Sequence, residues 1–600
     1  MSMLEHFGVD THAVFQARLI NRIAMTYFLG AYSICNVVNR TDVSVNTSFN
    51  NVPIIVVQSH DLMLPAINLG CSVFIIDEDS VFWFLNNFIA LHDAAEYRHH
   101  TKYVVIMLNS GCIDKTATLN DIQSHPVVHE LPNLLLVITK NYEFELLTHY
   151  YTGNGPESVE YHLLDVYNAA NNSFLYGNYL FPDKLINLLG KASRVASFHV
   201  VPWFIMRPEV NGVVRYRNQS YITDGLDGYL LTQFCLRYNC TWELHVDQKN
   251  RYGEIFENGT GNGLFGALLD RKVDLAIGAV GGYFGAIQYF SLSHSLQRVG
   301  ITCLVPKPQL VPHWKLIYLT FSKSVWMALG AVFIAVTFFL YYLNTLFTNQ
   351  PTHGFLWILF KVLRTFVLTS ADLPKNSSAE GAIIASLLMF TIIVGNVYIG
   401  RIHSVLAFPP YHAPLATVKD LALSGIGINA EHASWMYSLD ISENPQDKIL
   451  LENFEVIPIE QLTDVINQGR KATMIAVLEN GHAMVGSWIN AHNVELYRIM
   501  KESLYVEFEA GYATKTWPWL DRFNYLSSWI RDAHLSKYIE LVEVYRHMDH
   551  RVQISIEHSR DRPPSKLKNM NVSEISGAFM LLGIGCATGL VVFLLEIVYH

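Results

Sequence analysis

Three stretches of the chain contain no Asp, Glu, Lys or Arg over about twenty residues each, namely 325–347, 381–400 and 575–595. A helix needs about 20 apolar residues to cross a bilayer, because it rises about 1.5 Å per residue through a hydrocarbon core about 30 Å thick. A buried helix of a large soluble core is the alternative, but charge-free stretches of this length are rare there. The sequence therefore predicts three transmembrane helices, and a charged fraction of only 16% agrees with a membrane protein.

A shorter apolar stretch, 354–370, lies between the first two predicted spans and carries Lys361 and Arg364. Two cations near the middle of a full crossing would cost several kcal/mol, whereas a re-entrant segment packed inside protein avoids much of that cost. We therefore expect a re-entrant loop. The blocks before residue 325 and after residue 400 then lie on the same side of the membrane, while a full crossing would separate them.

Glycosylation sequons indicate which side that is, because Asn-x-Ser/Thr is used on exposed loops of secreted segments. Asn571 is compatible with an external second block, and Asn376 would be cytoplasmic and unused. We expect a multi-pass protein of the plasma membrane with an extracellular N-terminus. The sequons before the first predicted span are Asn39, Asn46, Asn171, Asn218, Asn239 and Asn258.

The first 35 residues allow two interpretations. Arg18 and Arg22 precede the apolar stretch 23–35, which is similar to a signal peptide but begins far into the chain. Residues 1–35 are therefore a candidate signal or leader segment, with Met25 as an alternative start. The other interpretation is a core helix of the domain that follows.

The charge and cysteine content exclude several functions. With 42 basic and 52 acidic residues and no basic run, nucleic acid is not an expected partner. The seven cysteines lack CxxC spacing, which excludes a zinc ribbon and leaves one or two disulfides. His92, Glu96 and His99 have helical spacing that could hold a metal, but a solvated face explains them equally well. No metal and no cofactor are predicted.

Residues 36–191 contain short apolar runs separated by polar, helix-compatible stretches. Runs of about 4 to 8 apolar residues bounded by turn residues are typical of buried strands. We expect an extracellular N-terminal α/β domain without catalytic residues. The runs are VPIIVV, CSVFIID, YVVIML and NLLLVIT.

Two further blocks, 192–324 and 401–574, also alternate between strand-like and helix-like patterns. The first contains the helix-like GLDGYLLTQFCLRY and the strand-like TWELHV, and the second begins with the helix-like TVKDLAL. Gly261, Gly263 and Gly266 satisfy GxGxxG, but no apolar strand precedes them, so a loop opening a helix is expected rather than a dinucleotide site. No GxSxG, HExxH, Walker loop or paired-carboxylate site stands out in either block, and the chain is not expected to be an enzyme. Two α/β blocks on one side of a membrane can pair into a clamshell that holds a small ligand.

The segments 250–280 (NRYGEIFENGTGNGLFGALLDRKVDLAIGAV) and 289–308 (YFSLSHSLQRVGITCLVPKP) resemble the first half of the ligand-binding domain of ionotropic glutamate receptors. The order of span, re-entrant loop, span, PLATVKDL, second lobe and final span is also similar, from about residue 192 to the C-terminus. The stretch 511–533 (GYATKTWPWLDRFNYLSSWIRDA) and the short N-terminal domain look most like the divergent arthropod chemosensory branch, the ionotropic receptors.

The resemblance implies a multi-domain membrane protein with an α/β N-terminal domain and a bilobed α/β Venus-flytrap ligand-binding domain split by the pore. Three transmembrane helices and a re-entrant pore loop complete this fold class, in a tetrameric cation channel. No cysteine lies between Cys303 and Cys586, so the second-lobe disulfide usual in the family cannot form.

The ligand-binding positions that the resemblance implies are Tyr252, Ala279, Phe284, Ser434 and Glu479. Glutamate-binding members carry an arginine six residues before the Phe-Ser that matches Phe290 here, and Phe284 occupies that position. An apolar side chain leaves a ligand carboxylate unpaired, so glutamate is not expected to bind. Glu479 on one wall and the Tyr252 ring on the other suit an amine better. A surface aromatic and a solvated carboxylate are the alternative interpretations of these two residues.

The pore and gate positions implied by the resemblance are Lys361, Arg364, Val367, Tyr398 and Gly400. Tyr398 either lines the gate or anchors the helix at the membrane interface. We expect a ligand-gated cation channel subunit that detects odorants or tastants, is not gated by glutamate, and assembles with co-receptor subunits in a hetero-tetramer. Because the two cations would oppose cation flow, the alternative is a non-conducting, membrane-anchored ligand-binding or assembly subunit of a heteromeric receptor.

Overall fold

The computed structural model of the chain describes residues 11–38, 52–97, 101–108, 115–140, 142–153, 160–282, 284–347, 354–369, 378–408, 410–560 and 572–599. These residues belong to two compact units. The first contains Met1–Pro306 and Ala416–Arg560, and the second contains Lys307–Leu415 and Asp561–His600. The chain therefore leaves the first unit, forms part of the second and returns.

The N-terminal domain is built on one sheet in the order β2-β1-β3-β4-β5-β6-β7-β8, parallel from β2 to β5 and antiparallel from β5 to β8. All four apolar runs form strands, as predicted. The described strands are β1 Ser33–Val37, β2 Ile54–Val57, β3 Cys71–Asp77, β4 Tyr103–Leu108, β5 Asn133–Lys140, β6 Glu143–His149, β7 Tyr161–Asn168 and β8 Ser173–Phe174. The described α-helices are Thr11–Tyr27, Met63–Asn68, Val81–Ala94 and Lys115–Ser124.

The segment that resembles a leader lies in the core of this domain. Helix Thr11–Tyr27 buries Leu19 and Ile23 against one face of the sheet, together with Phe28. Cys35 in β1 forms a disulfide with Cys71 in β3. In this structure the domain therefore begins before residue 36, because the apolar stretch packs on the same sheet as the strands that follow it.

The residues that follow form most of the first lobe of the candidate ligand-binding domain. The predicted strand TWELHV and the helix over GLDGYLLTQFCLRY are both present, and Cys235 and Cys240 form a disulfide at the end of that helix. The described strands are β9 Ala192–Ser197, β10 Ile205–Pro208, β11 Val214–Tyr216, β12 Gln219–Asp224, β13 Thr241–Val246, β14 Leu275–Ala276, β15 Ser291–Leu292 and β16 Gln297–Pro306. The described α-helices are Leu226–Tyr238, Gly263–Leu269 and Phe284–Ile287.

The chain that returns from the second unit forms the second lobe and then rejoins the first. Helix Val418–Ser424 starts with a capping box between Thr417 and Asp420, which fixes the start of the TVKDLAL helix. The described strands are β17 Ile428–Ala430, β18 Phe454–Val456, β19 Ala472–Val477, β20 Ala483–Met484, β21 Tyr497–Ile499, β22 Tyr505–Glu509 and β23 Tyr512–Ala513. The described α-helices are Tyr437–Asp440, Pro445–Glu452, Ile459–Asn467, Leu520–Asp532, Leu535–His547 and His550–His558.

Strand exchange ties the two lobes together. The first-lobe sheet has the order β10-β12-β11-β13-β9-β14-β23-β15, so β23, from after the membrane helices, pairs with β14 and β15, from before them. The second-lobe sheet has the order β18-β17-β19-β16-β21, with β20 on β19 and β22 on β16, so β16 enters the second lobe. Between the two sheets the chain crosses through β16 and through β22.

The N-terminal domain docks on the first lobe through the half-buried side chain of Arg271 and the buried side chain of Lys515. Arg271 holds Asp93 through both carboxylate oxygens, at 2.6 and 3.2 Å, and approaches Glu130 at 3.5 Å. The Lys515 ammonium donates to the carbonyl oxygens of Asp93 and Ala95 at 2.6 and 3.0 Å. These contacts fix the first lobe to the N-terminal domain.

The second unit consists of apolar helices. Three helices of the described residues are long and apolar enough to cross a membrane, Lys323–Leu346, Ser378–Ala407 and Ser576–Val598. The second is longer than the charge-free stretch that predicted it, because the helix continues through Arg401 and His403. The other described α-helices of this unit are His313–Leu319 and Phe355–Phe366.

The unit boundaries differ from the predicted domain boundaries. The first lobe was expected to extend to residue 324 and the second block to run over 401–574, whereas the first compact unit contains Met1–Pro306 and Ala416–Arg560. The flanking residues 307–322 and 410–415 belong to the unit that contains the apolar helices. Helix His313–Leu319 buries Leu316 in this unit. The search for charge-free stretches of about 20 residues did not detect this short helix.

Candidate functional site

A cavity of about 60 Å³ lies between the two lobes. Aromatic side chains and two carboxylates form much of its wall. Among the described residues that line it there is no Lys, Arg or His. The lining residues are Trp203, Tyr252, Phe265, Ala279, Val280, Gly281, Val299, Ile301, Ser434, Trp435, Ala476, Met484, Tyr505, Glu507 and Glu509.

Two glycines position the Tyr252 loop on the cavity wall. A Cβ on Gly253, which has φ +77°, would lie 1.8 Å from the Asn262 carbonyl oxygen. A Cβ on Gly263, with φ +60°, would lie 2.6 Å from the Arg251 carbonyl oxygen. This close approach lets the Arg251 carbonyl accept from the Leu264 N–H at 2.9 Å, at the start of the following helix. The GxGxxG sequence is therefore a loop that opens a helix, as predicted.

Ala279 reaches the cavity through an unusual backbone conformation. Its φ is +57°, and the preceding Gly278 has φ +126°. The backbone N–H groups of both residues donate to Asp227 Oδ2, at 3.0 Å from Gly278 and 3.2 Å from Ala279. A left-handed conformation costs an alanine about 1 kcal/mol or more, and the Asp227 carboxylate helps to hold it.

Strand β22 is inverted relative to the usual pattern of apolar residues inside and polar residues outside. Phe508 and Val506 are 61% and 39% exposed, while Glu509 is only 8% exposed and Glu507 lines the cavity. Antiparallel pairing with β16 sets Glu509 opposite Gln297 and Glu507 opposite Val299. Side chains alternate between faces along a strand, so both carboxylates point to one face and both apolar residues to the other.

Neutral donors hold the two carboxylates. Glu509 Oε2 accepts from Trp203 Nε1 and, at 2.9 Å, from Gln297 Nε2. Glu507 Oε1 accepts from Ser438 Oγ at 2.9 Å. Among the described residues, no Lys, Arg or His forms an ion pair with either carboxylate.

Burial without a cation shifts the carboxyl groups toward their neutral forms. Burial raises the pKa of Glu509 well above its ordinary value, and the charges of Asp227 and Glu507 raise it further. Burial also raises the pKa of Glu507 and that of Glu431, and it raises the pKa of Asp227 to about 6. A cation bound next to Glu507 and Glu509 would stabilise the ionised forms of these two carboxyl groups.

Three of the five ligand-binding positions implied by the resemblance, Tyr252, Ala279 and Ser434, line this cavity. Phe284 begins helix Phe284–Ile287, and its side chain lies outside the described part of the structure. Glu479 is not among the lining residues. Its carboxylate accepts from the Arg298 N–H at 3.2 Å and pairs with Lys537 at 3.4 Å, because it follows β19 at the outer end of the strand.

Sequence reasoning did not single out Glu507 and Glu509. The only signal was the alternation YVEFE, which the ordinary rule would read with Val506 and Phe508 inside. Glu507 and Glu509 line the cavity, and the role of Glu479 stays a prediction.

The predicted pore positions lie at the end of helix Phe355–Phe366. The Lys361 ammonium lies 4.9 Å from the centre of the Trp357 ring, and Arg364 is exposed. Val367 caps the helix and is exposed, and Leu368 follows with φ +58°. The re-entrant path and the roles of these residues stay predictions.

Tyr398 lies inside helix Ser378–Ala407 and packs on aromatic residues next to the first apolar helix. Its ring centre is 5.5 Å from that of Phe321 and 6.2 Å from that of Trp326, and its hydroxyl donates to the Ile317 carbonyl at 3.4 Å. A Cβ on Gly400 would meet no atom within 4 Å. The roles of both residues in a gate stay predictions.

The remaining predicted sites divide between described and undescribed residues. Asn171, Asn218, Asn239 and Asn258 are exposed. His92 is buried and its Nδ1 lies 2.7 Å from the Phe88 carbonyl, while Glu96 lies beyond the end of helix Val81–Ala94, so these two residues do not share a helix face. Among the described residues, no group of three or more His, Cys, Asp or Glu could hold a metal. The positions outside the described residues are Asn39, Asn46, His99, Cys112, Asn376 and Asn571.

Comparison with known proteins identifies distant relatives. No protein family model matches the chain. The chain is 26% identical over 196 residues to glutamate receptor ionotropic, delta-1 of Mus musculus, which covers 30% of this chain and 19% of that protein. It is 22% identical over 259 residues to glutamate receptor ionotropic, delta-2 of Homo sapiens, covering 39% and 23%. A glutamate receptor of Lymnaea stagnalis is 22% identical over 185 residues, covering 28% and 20%.

The chain shows weak homology to ionotropic glutamate receptors. It spans about a fifth of the length of the curated relatives it matches. The α/β sheets and three apolar helices fit the architecture of that family, and its members are membrane receptors rather than enzymes. The resemblance found in the sequence is confirmed at this level, and the arthropod chemosensory branch stays a prediction.

Proposed function

We propose that this protein is a subunit of a ligand-gated cation channel of the arthropod chemosensory type, detecting an odorant or tastant other than glutamate. The observation that carries the proposal is the cavity between the lobes, which is walled by Glu507 and Glu509 and has no basic side chain among its described lining residues. The homology and the three membrane-length helices support the receptor and channel part.

Ligand binding would act through the covalent path between the lobes and the apolar helices. Strand β16 ends at Pro306, and the chain continues directly into the second unit. It returns at Ala416 and leaves again after Arg560. A ligand that binds better to closed lobes than to open ones shifts the population toward closure, and the segments joined to the spans carry that change.

The cavity chemistry disfavours glutamate. The position expected to bind the ligand carboxylate is Phe284, and the lining provides no cation among the described residues. A carboxylate entering next to Glu507 and Glu509 would be desolvated and repelled. We therefore expect glutamate to produce no response.

In the proposed assembly the subunit lies in the plasma membrane within a hetero-tetramer that contains co-receptor subunits, and its N-terminus is extracellular. Residues 354–370 form the re-entrant pore loop. The four exposed sequons in the first unit support an external soluble region. Enzymatic deglycosylation of the surface-labelled protein checks the orientation, and unglycosylated Asn171, Asn218, Asn239 and Asn258 would contradict it.

Electrophysiology of the full chain tests the function. Cells expressing the chain with candidate co-subunits are exposed to a chemical panel while whole-cell current is recorded. Ligand-dependent current that is reduced in the double variant Glu507→Gln/Glu509→Gln, but preserved in Glu479→Gln, is the expected result. No ligand-dependent current in every subunit combination, with surface expression verified, would contradict the proposal.

A second candidate function is a non-conducting ligand-binding or assembly subunit. The observation that favours it is the pair Lys361 and Arg364, since cations along a cation pore raise its electrostatic barrier. The stacking of Lys361 on Trp357 allows that charge to point away from a pore axis. Unchanged conductance in Lys361→Gln and Arg364→Gln variants of an assembled channel would place both residues outside the ion path.

A further inference from the structure

We propose that the cavity between the lobes binds a small organic monocation, an alkylammonium with about four to six non-hydrogen atoms, held by Glu507 and Glu509. This inference rests on the proposed function, in which the same cavity is the ligand site. It goes further by naming the chemical class and size of the ligand. It also names which two carboxylates recognise the ligand.

The charge of the wall is the first argument. Both carboxylates lie on the cavity face of β22, and they accept hydrogen bonds from the neutral donors Ser438, Trp203 and Gln297. Two acidic groups without an ion pair in a low-dielectric site are costly, and a cation between them offsets that cost. A ligand ammonium is the simplest group with the required charge, because it has three donors for acceptor oxygens.

A second hydrogen-bond acceptor next to Glu509 points to the same class of ligand. Gln297 is 2% exposed and uses its Nε2 to donate to Glu509. Its Oε1 is buried and has no hydrogen-bond partner among the described residues. Buried polar atoms are usually paired, so this oxygen indicates a missing donor near the carboxylate.

Aromatic rings supply the rest of the wall. Tyr252 stands perpendicular to Phe198, with ring centres 4.9 Å apart, and its ring centre is 6.1 Å from that of His432 in the second lobe. Trp203, Trp435 and Tyr505 also line the space. Electron-rich ring faces attract ammonium groups, with the largest effect where water is excluded.

The volume sets the size of the ligand. A single water needs about 10–15 Å³ by this measure, so 60 Å³ holds about four to six water-sized groups. n-Propylammonium to n-pentylammonium fit this range. Glutamate, with ten non-hydrogen atoms, exceeds it even before its charge is considered.

Proton exchange is a further consequence. Because a cation favours the ionised carboxylates, binding releases protons and affinity increases as pH rises through the raised carboxyl pKa values. Burial lowers the pKa of His432, which favours its neutral form next to the cavity. The titratable groups that face the two carboxylates, or face their neighbours, are Asp227, Arg251, Tyr252, Glu431, His432 and Tyr505.

Calorimetry on the purified full chain in lipid nanodiscs tests the inference, with n-propylamine as the probe. Propionate and glutamate are the anionic controls, and tetraethylammonium is the oversized cation. We expect saturable binding of n-propylamine only, with affinity at least tenfold lower in Glu507→Gln and in Glu509→Gln. The matched control Glu479→Gln removes an acid outside the cavity and should change affinity less than twofold.

A measurement on the unmodified protein tests the inference even if the variants fail to fold. Titrations in two buffers with different ionisation enthalpies report the protons exchanged, and we expect net proton release at pH 6.5 with at least threefold tighter binding at pH 7.5 than at pH 5.5. No binding of n-propylamine at 10 mM, propionate binding of equal affinity, or proton uptake would overturn the inference. Since these readouts do not involve current, they fail independently of the channel proposal.

Discussion

Replacing Gly281 with alanine tests how closely the cavity is built around Glu507. A Cβ on Gly281 would lie 2.1 Å from Glu507 Oε2 and 2.6 Å from its Cδ. At the next residue, Gly282, the nearest atom to such a Cβ is the Phe508 carbonyl oxygen at 3.5 Å, an ordinary contact. Neither glycine has a positive φ, so Gly281→Ala and Gly282→Ala differ only in the space available to the methyl group.

The size of the effect of Gly281→Ala on stability and binding follows from the contact distances. Real Cβ contacts stay above 3.0 Å, so the Glu507 carboxylate must move from 2.1 Å by about 0.9 Å. That shift breaks the 2.9 Å hydrogen bond from Ser438, and a hydrogen bond to a charged group contributes about 1.5–3 kcal/mol. The fold should survive because a side-chain end moves rather than backbone. We expect a melting temperature a few degrees lower, and at least tenfold weaker n-propylamine binding, equivalent to about 1.4 kcal/mol.

The assay compares wild type, Gly281→Ala and Gly282→Ala by thermal melting and by calorimetry with n-propylamine. Gly282→Ala should match wild type within about twofold in affinity. Equal affinity in all three proteins would refute the placement of Glu507 as a ligand contact. Equal losses in both variants would mean that the effect comes from the backbone and not from the carboxylate.

Three further predictions concern other parts of the chain. Because the pKa of Asp227 is raised to about 6, its contribution to stability is complete below about pH 4 and is lost as pH rises through 6. Asp227→Asn should therefore stabilise the protein by about 1–3 kcal/mol at pH 7.5 and have little effect at pH 4, as measured by thermal melting at both pH values. The Cys35–Cys71 disulfide closes a loop with a sequence separation of 36, so the double alanine variant should lose about 4 kcal/mol, seen as a lower melting temperature of the N-terminal domain, and an unchanged melt contradicts this. Tyr398→Ala should raise basal leak if the ring lines the gate, with Tyr398→Phe near wild type, whereas normal closure at normal surface expression in Tyr398→Ala favours the anchor.

Local patterns predicted the elements whose burial follows the ordinary rules. Strands such as CSVFIID and TWELHV were recognisable because their apolar residues are bounded by turns, and both form where expected. Helix ends were less predictable. The second apolar helix continues past the charge at Arg401, since a charged residue marks the edge of a hydrocarbon core rather than the end of a helix.

Site residues were predictable only where a local motif fixed the backbone. Tyr252 reaches the cavity because Gly253 and Gly263 hold its loop against a helix, and the glycines are visible in the sequence. Glu479 was expected from the resemblance, but whether an acid at the end of a strand faces a cleft depends on strands that pair across the lobes. The pairing of β16 with β22 joins residues about 200 positions apart, and no local pattern reports it.

The inverted strand β22 explains why sequence reasoning did not identify Glu507 and Glu509 and why these two carboxylates matter. An alternation with period two defines two faces but not which face is inside, and hydrophobicity would have put Phe508 in the core. The protein instead exposes Phe508, buries Glu509 and leaves Glu507 half-buried on the cavity wall. That arrangement loses apolar burial and adds desolvated carboxyl groups, so it reduces the stability of the empty lobes. Sequences depart from local rules in this way mainly at functional sites, and a bound cation is the partner that would offset both carboxylates at once.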